Sequence, residues 1–96
     1  MICQTAIDAA GAEQASKPYF LYLLECRGGR LYAGIARDVE ARFKKHVRGT
    51  GARFTRAWPP VGLLATRKYP TVGDALRAEI VLKRLPRAKK RAFFDL

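Results

Sequence analysis

Only two cysteines, one histidine and eight acidic residues occur among 96 positions, and each scarcity removes a class of function. Cys3 and Cys26 form neither a disulfide framework nor a metal-ligand pair at useful spacing. The lone His46 cannot assemble a zinc site. Two reduced thiols in a cytoplasmic protein, with Cys26 inside a strand, are the expectation. No run approaches the ~18 apolar residues that a membrane span needs. The opening MICQTAIDAAGAEQASK lacks the basic start and long apolar stretch of a secretory signal. Residues 1–17 therefore read as a flexible leader, and residues 18–96 as the folded domain of a soluble intracellular protein. There is no internal repeat and no low-complexity tract.

What is abundant is apolar and cationic. With 49% hydrophobic and 10% aromatic residues the chain is long enough for one core and too short to divide into two. The formal net charge is +11. Asp8 and Glu13 outnumber Lys17 in the leader, so the positive excess belongs to residues 18–96. Such a surface attracts polyanions.

After Pro18, YFLYLLEC is rich in β-formers and predicts a strand; RGGR is a turn, and LYAGIA a second strand. Asp38 stands where a helix N-cap belongs, Val39, Phe43 and Val47 recur at i, i+4 and i+8, and Gly49 ends that helix. GTGARFTRAWPP, residues 49–60, carries several breakers and predicts an exposed loop. VGLLATRKY supplies a third strand. Thr71 opens a further helix through a capping-box-like start and runs to the break at Pro86. RAKKRAFFDL closes as a short basic helix whose Phe93 and Phe94 dock on the body. The order β-β-α-β-α-α predicts an α+β fold, a small central three-stranded sheet flanked by helices.

Several residues sit where a plain core does not need them. At 100° per residue from Val72, Leu76 falls at about 40° and Ile80 at about 80°, which places Glu79, at about −20°, inside the apolar arc. Lys83 shares that face, so an i, i+4 pair worth only about 0.3–0.5 kcal/mol is the bland reading. A carboxylate turned inward more often has a metal or a fixed cation as partner. In the first helix Arg42 and His46 share one flank of the apolar stripe. The hairpin adds a geometric condition. A two-residue turn at Gly28-Gly29 would put Tyr22 and Tyr32 on opposite sides of the sheet. A three-residue loop, 27–29, with Gly29 left-handed, pairs 26 with 30 and 24 with 32, and brings both tyrosines to one face.

These residues in this order resemble the GIY-YIG nuclease family, in the small single-domain branch similar to the nuclease domain of SLX-type structure-specific endonucleases. FLYLL replaces Gly-Ile-Tyr in the first motif, Tyr32-Ala33-Gly34 forms the second, Arg42 and His46 stand at the family's spacing, and DALRAEIVLKRL matches the helix bearing its metal-binding glutamate, Glu79. The GTGARFTRAWPPVGLL segment is similar to the branch's Gly-rich, Thr-Arg, Pro-containing stretch.

The resemblance implies a metal-dependent DNA endonuclease, structure-directed or single-strand-directed, of the kind used in DNA repair or recombination. Tyr22, Tyr32, Arg42, His46 and Glu79 are its expected catalytic residues. Mg²⁺, with Mn²⁺ as a substitute, is its expected cofactor at Glu79, since a single carboxylate suits an ion that keeps most of its waters. Tyrosine ordinarily titrates at about 10, so a phenol that activates water is expected to have a lowered pKa from neighbouring cations. Arg42 would supply that field and clamp the phosphate, and His46 would shuttle a proton or donate to the phosphate. Arg53, Arg56 and Trp58 offer phosphate contacts and a stacking surface. Thr55 joins this set, and Lys83 either orients Glu79 or touches DNA. Arg87, Lys89, Lys90 and Arg91 form a basic edge. The partner is single-stranded or branched DNA, with room for a protein partner. The alternative is a non-catalytic nucleic-acid-binding module of the same fold; a weaker one is an RNA- or ribosome-associated accessory protein.

Overall fold

A computed structural model describes residues 17–96. Most of the proposed leader, residues 1–16, lies outside the described residues. The elements run β1 (Tyr19–Cys26), β2 (Arg30–Ala36), α1 (Val39–Arg48), α2 (Arg53–Ala57), β3 (Pro60–Tyr69), α3 (Val72–Arg84) and α4 (Arg87–Phe93). The three strands form one antiparallel sheet in the order β2-β1-β3. Among the described residues no helix is long and apolar enough to cross a membrane.

Because β1 is central, both of its faces are covered, and its side chains alternate between two cores. Leu21 and Leu23 point to one side and pack with Leu82 of α3 and Phe94. Tyr22, Leu24 and Cys26 point to the other and pack with Tyr32, Val39, Phe43 and Trp58. Each fully buried leucine contributes about 1.5–3 kcal/mol. The hairpin has the three-residue loop expected. Arg27–Gly29 make a 3-10 turn, Cys26 pairs with Arg30 and Leu24 with Tyr32. Gly28 and Gly29 both take left-handed backbone, φ 78° and 73°, so the turn needs two glycines rather than one. In the β1–β3 pairing the register slips at two places, and the first slip lets the adjacent Leu64 and Ala65 both pack against the Leu21 and Leu23 core.

The caps fall where the sequence puts them. Asp38 accepts from the Ala41 N–H at 3.0 Å and α1 ends on Gly49 at φ 81°; Thr71 accepts from the Asp74 N–H at 3.1 Å. Phe94 is buried and Phe93 half-buried. Arg67 holds them by donating to the Phe93 carbonyl at 2.9 Å and lying over both rings.

Two expectations are corrected. The segment 49–60 is not all loop, because Arg53–Ala57 close a short helix with Arg56 N–H donating to the Ala52 carbonyl and Trp58 N–H to that of Phe54. The apolar arc of α3 is also rotated. Its buried stripe is Ala75 and Leu82, flanked by Ala78 and Leu85, while Val72, Leu76 and Ile80 are 43%, 44% and 50% exposed. Alanines let the helix backbone approach β1 and β2 closely, and this outweighs the larger aliphatic side chains on the neighbouring ridge. Glu79 consequently stands at the rim of the buried stripe instead of its middle.

Candidate active site

The site is built outward from Tyr22. Its position on the central strand places the phenol directly across from Gly34 of β2, where a Cβ would overlap the Tyr22 hydroxyl. The glycine of the Tyr-Ala-Gly motif is thus the space in which the first motif's tyrosine lies. Tyr32, two positions before Gly34, shares that face, with ring centroids 6.5 Å apart. Residue type and strand period together bring the two phenols side by side.

Helix α1 crosses the same face and delivers Arg42 and His46 one turn apart. His46 is completely buried, with its Nε2 2.9 Å from the Tyr22 hydroxyl and its Nδ1 2.7 Å from Thr55 Oγ1. The Thr55 hydroxyl also lies 2.9 Å from the Ala52 carbonyl. The edge of the His46 ring meets Tyr32 at 5.2 Å between centroids, and Phe54 stacks on Tyr32 at 5.7 Å. From the far helix α3, Glu79 pairs with Lys83 at 3.3 Å, and the Lys83 ammonium stands 5.9 Å from the Tyr32 ring centroid. The Glu79 side chain is 18% exposed. Five expected residues, Tyr22, Tyr32, Arg42, His46 and Glu79, are therefore grouped around one place, with Lys83 linking the carboxylate to the phenols.

The electrostatics depart from expectation at Tyr22. Burial pushes its phenol up to about 12; Arg42 pulls the other way, while Tyr32 and Glu79 add to the rise. Desolvation outweighs the guanidinium, so the buried tyrosine is held protonated rather than activated as a phenolate. His46 is lowered from its ordinary value, first by burial and then by the Arg42 charge, which keeps the imidazole neutral at neutral pH.

The expected nucleic-acid contacts divide. Arg53 and Arg56 are exposed on α2 and free to meet a phosphate. Thr55 is not at the surface; it is completely buried against His46, because α2 turns the hydroxyl inward. Trp58 packs into the Tyr22 cluster, and the Arg30 guanidinium covers its ring at 3.4 Å, so that face is closed to a base. Of the basic edge, Arg87 donates to the Gly29 carbonyl at 2.8 Å, Arg91 lies 4.0 Å from Glu25, and Lys90 donates to three carbonyls; only Lys89 keeps an exposed cation without such a bond among the described residues.

Gly51 and Phe54 were not legible as site residues. A Cβ at Gly51 would overlap His46 Nδ1, and the only signal was a second glycine two positions after the helix stop. Among the described residues no group of three or more His, Cys, Asp or Glu side chains could hold a metal ion. The described residues therefore build no cage of their own around a metal. The half-buried Glu79 carboxylate does suit Mg²⁺, a hard ion that takes its remaining ligands from water and phosphate.

The chain has relatives in sequence and in fold. Residues 18–92 match the family described as the GIY-YIG catalytic domain. A UPF0213 protein of Xanthomonas axonopodis pv. citri is 61% identical over 81 residues, 84% of this chain and 79% of that protein. A second, from Cupriavidus necator, is 46% identical over 79 residues, 82% of this chain and 86% of that protein. Among solved structures, the UPF0213 protein of Bacillus halodurans superposes with a TM-score of 0.51 at 41% identity, over 79% of this chain and 81% of that one. A protein from E. faecalis does so at 0.57 and 34%, over 80% and 82%. On the match across 18–92, the shared sheet and the motif residues gathered around Tyr22, this chain belongs to the GIY-YIG family of nuclease domains.

Proposed function

We propose that the protein is a Mg²⁺-dependent DNA endonuclease that hydrolyses phosphodiester bonds in single-stranded or branched DNA inside the cell. The observation that carries this reading is the convergence of two phenols, an imidazole, a guanidinium and a carboxylate from β1, β2, α1 and α3. Phosphodiester cleavage needs an oriented water, a sink for its proton and positive charge against the phosphate, and each has a carrier here.

Tyr32 is half open to solvent while Tyr22 is 1% exposed. Tyr32 accordingly meets the attacking water, and Tyr22 stands behind it. As the attacking water's O–H bond breaks and its proton goes to the Tyr22 oxygen, the Tyr22 O–H proton passes to His46 Nε2 at 2.9 Å, and the water oxygen bonds to phosphorus while the leaving oxygen departs with its bonding electrons. The exposed Arg42 guanidinium, next to the phenol, neutralises charge gathering on the phosphate. Glu79 would hold the cation, with Lys83 keeping the carboxylate in place until it binds. Bound there, Mg²⁺ supplies Lewis-acid polarisation of the phosphate and a more acidic water. Arg53 and Arg56 hold the flanking strand by its phosphates. Among the described residues the small surface carries no base-reading insertion, which favours a substrate recognised by its form.

The test is incubation with labelled single-stranded, duplex, flap and branched DNA, with Mg²⁺ or chelator, beside Glu79→Gln and Arg42→Ala. Metal-dependent products lost in both variants support the enzyme. Binding that survives Glu79→Gln with no cleavage of any substrate overturns it in favour of a binding module.

A further inference from the structure

The hydrogen-bond accounting around His46 admits one consistent solution. The Tyr22 O–H is buried and must have an acceptor. Its polar neighbours among the described residues are His46 Nε2, at 2.9 Å, and the Arg42 guanidinium, which donates only. Nε2 is therefore the acceptor and carries no proton. A neutral imidazole then bears its hydrogen on Nδ1, and that N–H needs an acceptor of its own. It finds Thr55 Oγ1 at 2.7 Å, whose single hydrogen is directed to the Ala52 carbonyl at 2.9 Å. The opposite tautomer would leave the Tyr22 hydrogen without a protein acceptor among the described residues and would draw the Thr55 hydrogen from the Ala52 carbonyl onto Nδ1.

We infer that Thr55 is a positioning residue for the hydrolytic reaction: by accepting from His46 Nδ1 it fixes the imidazole so that Tyr22 turns its hydrogen away from the site and presents a lone pair to it. This rests on the endonuclease reading for its consequence, though not for its geometry. Were Nε2 to carry the hydrogen, Tyr22 would accept from His46 and aim its own O–H into the site, as a donor where a proton acceptor is needed. In the transfer itself the water's O–H bond breaks and its proton goes to the Tyr22 oxygen, the original Tyr22 O–H bond breaks, an Nε2–H bond forms, and the resulting imidazolium keeps its Nδ1–H on Thr55. The segment from Gly49 to Thr55 is shaped for this. The helix stop turns the chain back, Gly51 leaves room for the imidazole edge, and α2 brings the hydroxyl to Nδ1.

His46 is the chain's only histidine, so its state is read without assignment ambiguity from long-range ¹H–¹⁵N correlations on ¹⁵N-histidine-labelled protein at neutral pH. The expected spectrum has Nδ1 protonated and Nε2 unprotonated in the wild type and in Thr55→Ser, and a shift of population toward Nε2–H in Thr55→Val. A protonated Nε2 in the wild type, or an unchanged tautomer in Thr55→Val, overturns the inference. In the cleavage assay Thr55→Val should lower kcat by about 10- to 100-fold with KM little changed, and Thr55→Ser should recover most of it. If the wild type cleaves nothing, the endonuclease reading fails while the spectra still decide the role of Thr55. Should Thr55→Val not fold, the wild-type and Thr55→Ser spectra decide it, since loss of Nδ1 protonation in either is decisive against.

Discussion

Single residues in this protein carry two duties, and Tyr22 with His46 shows the cost. Both are buried, and both would rather be uncharged, so each ties stability to pH. The unfolded His46 titrates at about 6.5 and the folded one lower. Unfolding then takes up a proton, so stability is intact above 6.5, declines as the pH falls through it, and levels off once the folded imidazole also protonates. Tyr22 runs the other way. Its folded pKa of about 12 exceeds the ordinary 10, so its contribution is whole below pH 10 and is lost as the pH rises toward 12. The size is roughly 3 kcal/mol. Urea midpoints across this range should show both limbs, with the alkaline one shallower in Tyr22→Phe and the acid one in His46→Gln. The grouping of Tyr22, Tyr32, Arg42 and His46 was legible because β1, β2 and α1 are consecutive and their periodicities fix which side chains share a face. Thr55 was misread as a surface contact, since a threonine between two arginines in a breaker-rich stretch carries no sign of which way it points.

At the scale of elements, helix ends decide more than helix faces. The C-terminal end of α3 is closed by Lys90, which donates to the Leu82, Lys83 and Leu85 carbonyls at 2.9, 3.1 and 2.8 Å. All three ammonium hydrogens are used on carbonyls of the last helical turn, the Leu82 carbonyl also accepting from the Leu85 N–H at 3.1 Å. Burial, and after it the Lys83 charge, lowers its pKa. Lys90→Met should destabilise the protein by about 1–3 kcal/mol in denaturant unfolding while leaving DNA affinity unchanged; a loss of affinity with intact stability would return Lys90 to the basic edge. The sequence showed a cluster of like charges there, and only the three-dimensional turn at Pro86 folds one of them back onto the preceding helix. The rotation of α3 has the same origin. Ala75 and Ala78 bury a close backbone contact that a hydropathy pattern weighs less than Val72, Leu76 and Ile80, and so Glu79 was placed about one residue's rotation too deep.

For the whole molecule, a net charge of +11 exceeds what the site needs, and several cations are bound internally. On the proposed reading, the exposed Arg42, Lys83, Arg53 and Arg56 would form the surface for a phosphate chain. Affinity for a single strand should fall with salt by about 0.7 logarithmic units per phosphate engaged, and Arg53→Ala or Arg56→Ala should each reduce the slope by about one contact. An affinity indifferent to salt would sink this footprint. Charge of this kind was legible from composition; which cations remain free was not, because it depends on partners brought from distant elements. The central strand draws the scales together, since Leu21 and Leu23 face one core while Tyr22 and Leu24 face the other. Motion that frees the phenol must pull apart both layers at once. Backbone amides of Leu21 to Leu24 should therefore exchange with deuterated solvent only through complete unfolding, at the slowest rates in the chain. On the proposed reading, a group mounted there would not be loosened for turnover, and adjustment to different substrates would fall to the two helices and the turn that surround it.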